Sequence, residues 1–347
     1  MSRGHVGRQS LRLLIGVCII LSSAFLIDAA NAEGQSNFPS PREQVITLGA
    51  GINAFSYDPV WKSQKNARIK DSHLRKMKDA GFRTIRVNLM SFAYMDSSGR
   101  LDPEWLSTLD DLIARLLSFG FNIILDEHDF IECREDVELC ERRLIDFWSQ
   151  ISIRYRNSPP TVLFELLNEP SRDITPSVWN GMSRRLLEII RRSNPKRNVL
   201  IGPAHFNSID YLDRLEIPVD DKNIIVTVHY YLPLEFSHQR FPMGNWFPTL
   251  PLRGWGGGKE QQKVMADFYK AQNWAERNNR VLYLGEFGTY EQAPLADRAK
   301  YAGFLTRTAE SLGWAWAYWQ FDKSFSLYDI EGDKWVEPIL SALIPGK

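Results

Sequence analysis

The 347-residue chain has only three cysteines and six histidines, and its 42 Lys and Arg are matched by 42 Asp and Glu. Each scarcity removes a class of function. With a formal net charge of zero and no basic patch or stripe, the electrostatic footprint of a nucleic-acid binder is missing. The histidines are scattered, no His-Glu-x-x-His spacing occurs, and no ligand cluster accompanies the cysteines, so no metal or other cofactor is expected. No apolar run reaches the roughly 20 residues that span a bilayer. The run 13–27 follows Arg3, Arg8 and Arg12 and precedes Ala30-Asn31-Ala32, the pattern of a cleavable export signal, with an uncleaved N-terminal anchor as the alternative.

Cleavage after Ala32 takes away three arginines and one aspartate, leaving 39 basic against 41 acidic residues. The expected product is a secreted or periplasmic monomer with no stable membrane insertion, in which the polar stretch 33–44 is a linker and 45–347 a single catalytic domain. Cys18 leaves with the signal, so Cys133 and Cys140 remain. An oxidising compartment permits a disulfide between them. The alternative is two free thiols one heptad apart on a helix, too far apart to bridge.

What is abundant is regularity. Short apolar runs at 45–53, 83–89, 122–127, 161–168, 198–202, 223–229, 281–286 and 314–320 alternate with longer amphipathic stretches. Several runs are nearly continuous Val, Ile, Leu and Phe, as parallel strands buried on both faces require. Asp102-Pro103 and Thr175-Pro176 each place a capping residue before a helix-opening proline. Eight strand–helix alternations over about 300 residues predict a single-domain α/β fold, the (β/α)8 TIM barrel. That fold puts active groups at the C-terminal ends of its strands. The fourth predicted strand ends in Asn168-Glu169-Pro170 and the seventh in Gly285-Glu286-Phe287-Gly288. Each therefore carries a carboxylate at its tip, and retaining glycosidases need two carboxyls about 5–5.5 Å apart.

These motifs resemble glycoside hydrolase family 5, the large cellulase family. Other elements of the family pattern follow in barrel order: Arg86 on the second strand, His128 after the third, His229 and Tyr231 at the end of the sixth, and Trp319 at the end of the eighth. The resemblance spans about 45–325 and implies Glu169 as acid/base and Glu286 as nucleophile. It also implies that Arg86 keeps Glu286 ionised, though pairing with a buried carboxylate such as Glu165 is open to it. Asn168 is placed for a sugar 2-hydroxyl, and Tyr231 for orienting Glu286. His128 and His229 suit substrate hydroxyls or the acid–base network, or are simply satisfied barrel histidines. Trp319 is a floor for the sugar or part of a core with Trp314 and Trp316. Asp126 and Glu127 read as structural. In the aromatic stretch after strand six, Trp246 and Trp255 are candidate stacking platforms. The expected activity is a retaining endo-β-1,4-glucanase acting on a β-linked oligo- or polysaccharide. A β-1,3- or mixed-linkage glucanase, a β-mannanase, a transglycosylase and a non-catalytic glycan-binding barrel are the alternatives.

Overall fold

The structure, a computed structural model, describes residues 1–2, 38–242 and 252–346. The chain divides into a leading unit, Met1–Phe38, and a body, Pro39–Lys347. The expected export signal lies outside the described residues. Among those described, no helix is long and apolar enough to cross a membrane.

Eight parallel strands close on themselves in sequence order: β1 (Ala50–Ala54), β2 (Thr84–Leu89), β3 (Asn122–Glu127), β4 (Val162–Glu165), β5 (Val199–Ile201), β6 (Ile224–His229), β7 (Leu282–Glu286) and β8 (Ala315–Tyr318). β8 pairs with β1 to shut the ring. This is the TIM barrel. The first apolar run behaves differently from its composition. Residues 45–48 do not begin a strand but end a helix, α1 (Pro41–Leu48). Ser40 and Glu43 form a capping box with proline just inside, which outweighs the β-branched content of the run. Val45 and Leu48 pack with Ile124, Leu163, Leu200, Ile225 and Tyr283, so the helix plugs the lower end of the barrel and is no linker from Pro41 onward.

The helices that wrap the barrel begin with α2 (Asp71–Asp79) and α3 (Pro103–Ser118). A short α4 (Phe130–Cys133) and a long α5 (Val137–Arg154) follow β3, and α6 (Pro176–Ser193) follows β4. Beyond β6 come a short α7 (Leu234–Ser237), α8 (Gly258–Arg277), α9 (Leu295–Ser311) and α10 (Glu337–Leu343). Asp102 accepts from the backbone N–H groups of Glu104 and Trp105, and Thr175 from that of Val178, so both helix starts are capped by side-chain oxygens. Between β5 and β6 the described chain is spanned by a 3₁₀ segment, Ile209–Arg214. Cys133 and Cys140 lie on separate helices with a turn between them, so their Cα atoms come within 4.6 Å and a disulfide joins them.

Strand alternation fixes what fills the barrel. On β2, Thr84, Arg86 and Asn88 share the inward face, while Ile85, Val87 and Leu89 belong to the outer apolar core beneath the helices. The lower interior is apolar and the upper interior, at the strand C-termini, is ionic. The site is built on that ionic layer.

Candidate active site

Arg86 is fully buried at the centre of this layer. Its Nε and Nη2 bind the two oxygens of Glu165 at 2.7 and 2.8 Å, Nη1 donates to Asn53 and Glu286, both at 2.8 Å, and Nη2 also donates to Asn168 at 2.9 Å. All five guanidinium hydrogens thus have acceptors, and Asp126 stands 3.1 Å away. Burying such a cation costs several kcal/mol, which only this degree of satisfaction offsets. Arg86 therefore meets both partners left open above, Glu165 and Glu286.

Glu286 ends β7. It accepts from Arg86 through one oxygen and from the Tyr231 hydroxyl, 2.9 Å away, through the other. Burial raises its pKa, while the Arg86 charge and the Tyr231 hydrogen bond pull it down. Glu169 follows β4 with φ at +44°, a left-handed conformation that costs a non-glycine residue of order 1–3 kcal/mol and that clusters at active sites. Its Oε1 is 2.9 Å from His229 Nδ1. Burial, and then the Glu286 charge, push Glu169 well above the usual carboxylate range. Oxygens of Glu169 and Glu286 and a nitrogen of His229 all lie within 4.8 Å of one another.

The charge balance assigns the protons. Burial holds His128 down at about 4 and His229 well below its ordinary value, so both rings are neutral. Arg86 is the cation in contact with this layer, which holds Asp126, Glu165, Glu169 and Glu286, and Arg134 is a smaller influence on Glu169. Four ionised carboxylates around Arg86 would leave three uncompensated charges in a buried site, so protons must remain. Burial raises Asp126 to about 7. Of the two mouth carboxyls, Glu286 has two strong donors and Glu169 has one neutral histidine, so the shared proton stays on Glu169.

Trp319 is half-buried and stacks flat on the His128 ring, centroids 5.4 Å apart and planes within 6°, while His128 Nδ1 lies 2.5 Å from Asp126. Trp319 is thus held at the mouth and kept out of the Trp316 core. Trp255 corrects the expectation of a stacking platform. It is 4% exposed and packs edge-on against Tyr301 and beside Phe304 and Phe236. Gln239 binds the backbone of Arg253 through both ends of its amide, which folds this part of the loop back over α9 instead of over the cleft. Trp246 lies outside the described residues.

Three asparagines not expected from the sequence also belong to the site. Asn53 links Arg86 to the Gly285 carbonyl, Asn88 reaches both Asn53 and Asp126, and Asn207 touches His229. For the first two a signal existed, since each is a polar residue on the inward face of a strand. Asp126, read as structural, is a direct partner of Arg86 and His128.

An eight-stranded barrel whose mouth holds two strand-end carboxyls, one clamped by arginine and tyrosine, has the architecture of a glycoside hydrolase. Residues 44–324 match the model of the cellulase family, glycosyl hydrolase family 5, and the chain belongs to that family. It is 29% identical to Endoglucanase H of Acetivibrio thermocellus over 88% of its own length, and spans 34% of the length of that relative. Among solved structures, Thermotoga maritima Cel5A, in complexes with mannotriose and with cellobiose, is 32% identical, with TM-scores of 0.83 and 0.82. Those matches cover 88% of this chain and all of Cel5A. The cellulose synthase subunit Z of Clostridioides difficile is 30% identical, with a TM-score of 0.80 over 86% of this chain and 99% of that one.

Proposed function

We propose that the chain is an exported, retaining endo-β-glucanase that cuts β-1,4-glucosidic bonds, with Glu286 as nucleophile and Glu169 as acid/base. The observation that carries this reading is the pair of carboxyls with oxygens inside 4.8 Å but with opposite surroundings. An inverting site needs about 6.5–9.5 Å to hold a water between its carboxyls, and a retaining one about 5–5.5 Å. In the first step a Glu286 oxygen bonds to the anomeric carbon as the glycosidic bond breaks, and the departing oxygen takes the proton of Glu169. In the second, Glu169 removes a proton from water, whose oxygen displaces Glu286.

Around this pair, Asn168 is placed for the sugar 2-hydroxyl, and Trp319 gives the sugar an aromatic floor at the mouth. The β-1,4 preference is supported by the endoglucanase relative and by the cellulose synthase subunit, since cellulose is β-1,4-linked. A mannan is the second reading, because the similar Cel5A was solved with mannotriose. Epimer selectivity rests on one or two hydroxyl contacts. Product analysis of the exported protein on cellulosic, 1,3-, mixed-linkage and mannan polymers tests both readings. The expected result is internal cleavage of β-1,4-glucan by a mature chain that starts at Glu33. Turnover of none, or of β-1,3-glucan alone, would overturn the substrate assignment.

The pH dependence follows from the same groups. Turnover needs Glu286 ionised and Glu169 protonated, and burial raises both. Activity is therefore lost as pH falls through the Glu286 pKa, and lost again as pH rises through the higher Glu169 pKa. With Glu169 well above the usual carboxylate range, the optimum extends toward neutrality. In kcat/KM profiles the basic limb should disappear from the residual activity of Glu169→Gln. If it persists there unchanged, another group supplies the acid.

A further inference from the structure

Three consecutive residues after β5, His205, Phe206 and Asn207, adopt left-handed backbone with φ of 64°, 65° and 53°. Non-glycine residues enter this region singly when at all, and a run of three has to be held in place by its surroundings. Here the run has one product inside the barrel. It delivers the Asn207 side chain, which has no exposed surface, to the far side of the His229 ring. Asn207 Nδ2 stands 3.2 Å from His229 Nε2, while the other ring nitrogen, Nδ1, stands 2.9 Å from Glu169 Oε1. Two further features fit Asn207 into this position. The Phe206 N–H donates to the Pro170 carbonyl at 3.3 Å, tying the run to the Glu169 turn. A Cβ on Gly202 would lie 2.1 Å from Asn207 Oδ1, so only glycine leaves room for the amide.

We infer that Asn207 is a positioning residue that sets the tautomer of His229, and through it the oxygen of Glu169 on which the catalytic proton sits. The inference rests on Glu169 being the acid. An amide N–H aimed at Nε2 requires that nitrogen to be an acceptor. The neutral ring then carries its hydrogen on Nδ1 and donates to Glu169 Oε1. Oε1 cannot also hold the acid proton toward the ring, so the proton occupies Oε2, free for the leaving oxygen of a substrate. After the proton has been transferred, the same Nδ1–H stabilises the new carboxylate. The second nitrogen of a functional histidine commonly fixes its working tautomer in this way. The opposite tautomer would turn Nδ1 into an acceptor and draw the acid proton into the Glu169–His229 contact, away from the substrate.

Asn207→Asp tests this with nearly unchanged shape, because it replaces the donor at Nε2 with an acceptor. Two substrates separate the roles. A cello-oligosaccharide needs its leaving oxygen protonated, whereas 2,4-dinitrophenyl β-cellobioside departs without help. The expected result is a fall in kcat/KM of about 10²-fold on the oligosaccharide, within the range of general acid catalysis, and less than about threefold on the activated glycoside. In ¹⁵N-histidine spectra, with Glu169 protonated, the His229 signals, identified by their absence in His229→Gln, should show a protonated Nδ1 in the wild type and a changed pattern in Asn207→Asp. Loss on both substrates, or on neither, overturns the inference, as does a wild-type His229 protonated at Nε2. Glu169→Ala keeps the two failures apart. It should show the same selective loss, and equal loss on both glycosides would refute the acid assignment itself.

Discussion

Glu286→Gly should lower kcat by at least about 10⁴-fold on β-1,4-glucan, in keeping with removal of a covalent nucleophile. The variant should regain turnover of an activated β-glycoside when azide is added, because the anion enters the space left by the side chain. The azide attacks the same face that Glu286 would have used, so the product is an α-glycosyl azide. Gly removes one acceptor each from Arg86 and Tyr231, while Arg86 keeps Glu165, Asn53 and Asn168, so the variant should be less stable but still fold. Rescue giving the β-azide would instead make Glu286 the acid/base and Glu169 the nucleophile. Product configuration in the presence of azide distinguishes the two carboxyls without reference to rate.

Arg86→Lys is expected to have the second largest effect, although it conserves charge. Lysine offers three donors from one point, whereas Arg86 serves Glu165, Asn53, Glu286 and Asn168 through a planar fork. The substitution strands at least two buried acceptors. Breaking a buried charge network of this kind costs roughly 3–5 kcal/mol. Thermal or denaturant unfolding should report that loss. The kinetics should add a second signature, since losing the guanidinium hydrogen bond to Glu286 lets burial raise its pKa further. The acid limb of the kcat/KM profile then moves to higher pH. Stability and acid limb both unchanged would mean that Arg86 is not the centre of the ionic layer.

The sequence carried these features unevenly, for physical reasons. The strands were legible because an all-parallel barrel buries both faces of each, and Asn122–Glu127 reads directly from its apolar run. Glu169 and Glu286 were legible because strand ends next to a Pro or Gly turn are where the fold aims functional groups. Residues 45–48 misled because Val, Ile and Thr favour strands, while the signal that decided the matter, Ser40 with Glu43, lies upstream in what looked like linker. Trp255 misled because composition cannot tell a ring that floors a cleft from one that fills a core, and the contact that decides it, Gln239 to Arg253, joins residues 14 apart within the loop. Asn207 was invisible. Its importance depends on three left-handed residues and on closeness to His229, 22 positions away, and no local pattern encodes either.

The central claim is that two carboxyls within 4.8 Å of one another work by double displacement. Proton NMR of the anomeric region during the first minutes of hydrolysis tests it most directly, using a soluble β-1,4-glucan or a cello-oligosaccharide. The account predicts that the new reducing end appears first as the β-anomer and reaches the α/β equilibrium only by later mutarotation. First appearance of the α-anomer would mean inversion, and would contradict the assignment of Glu286 as nucleophile.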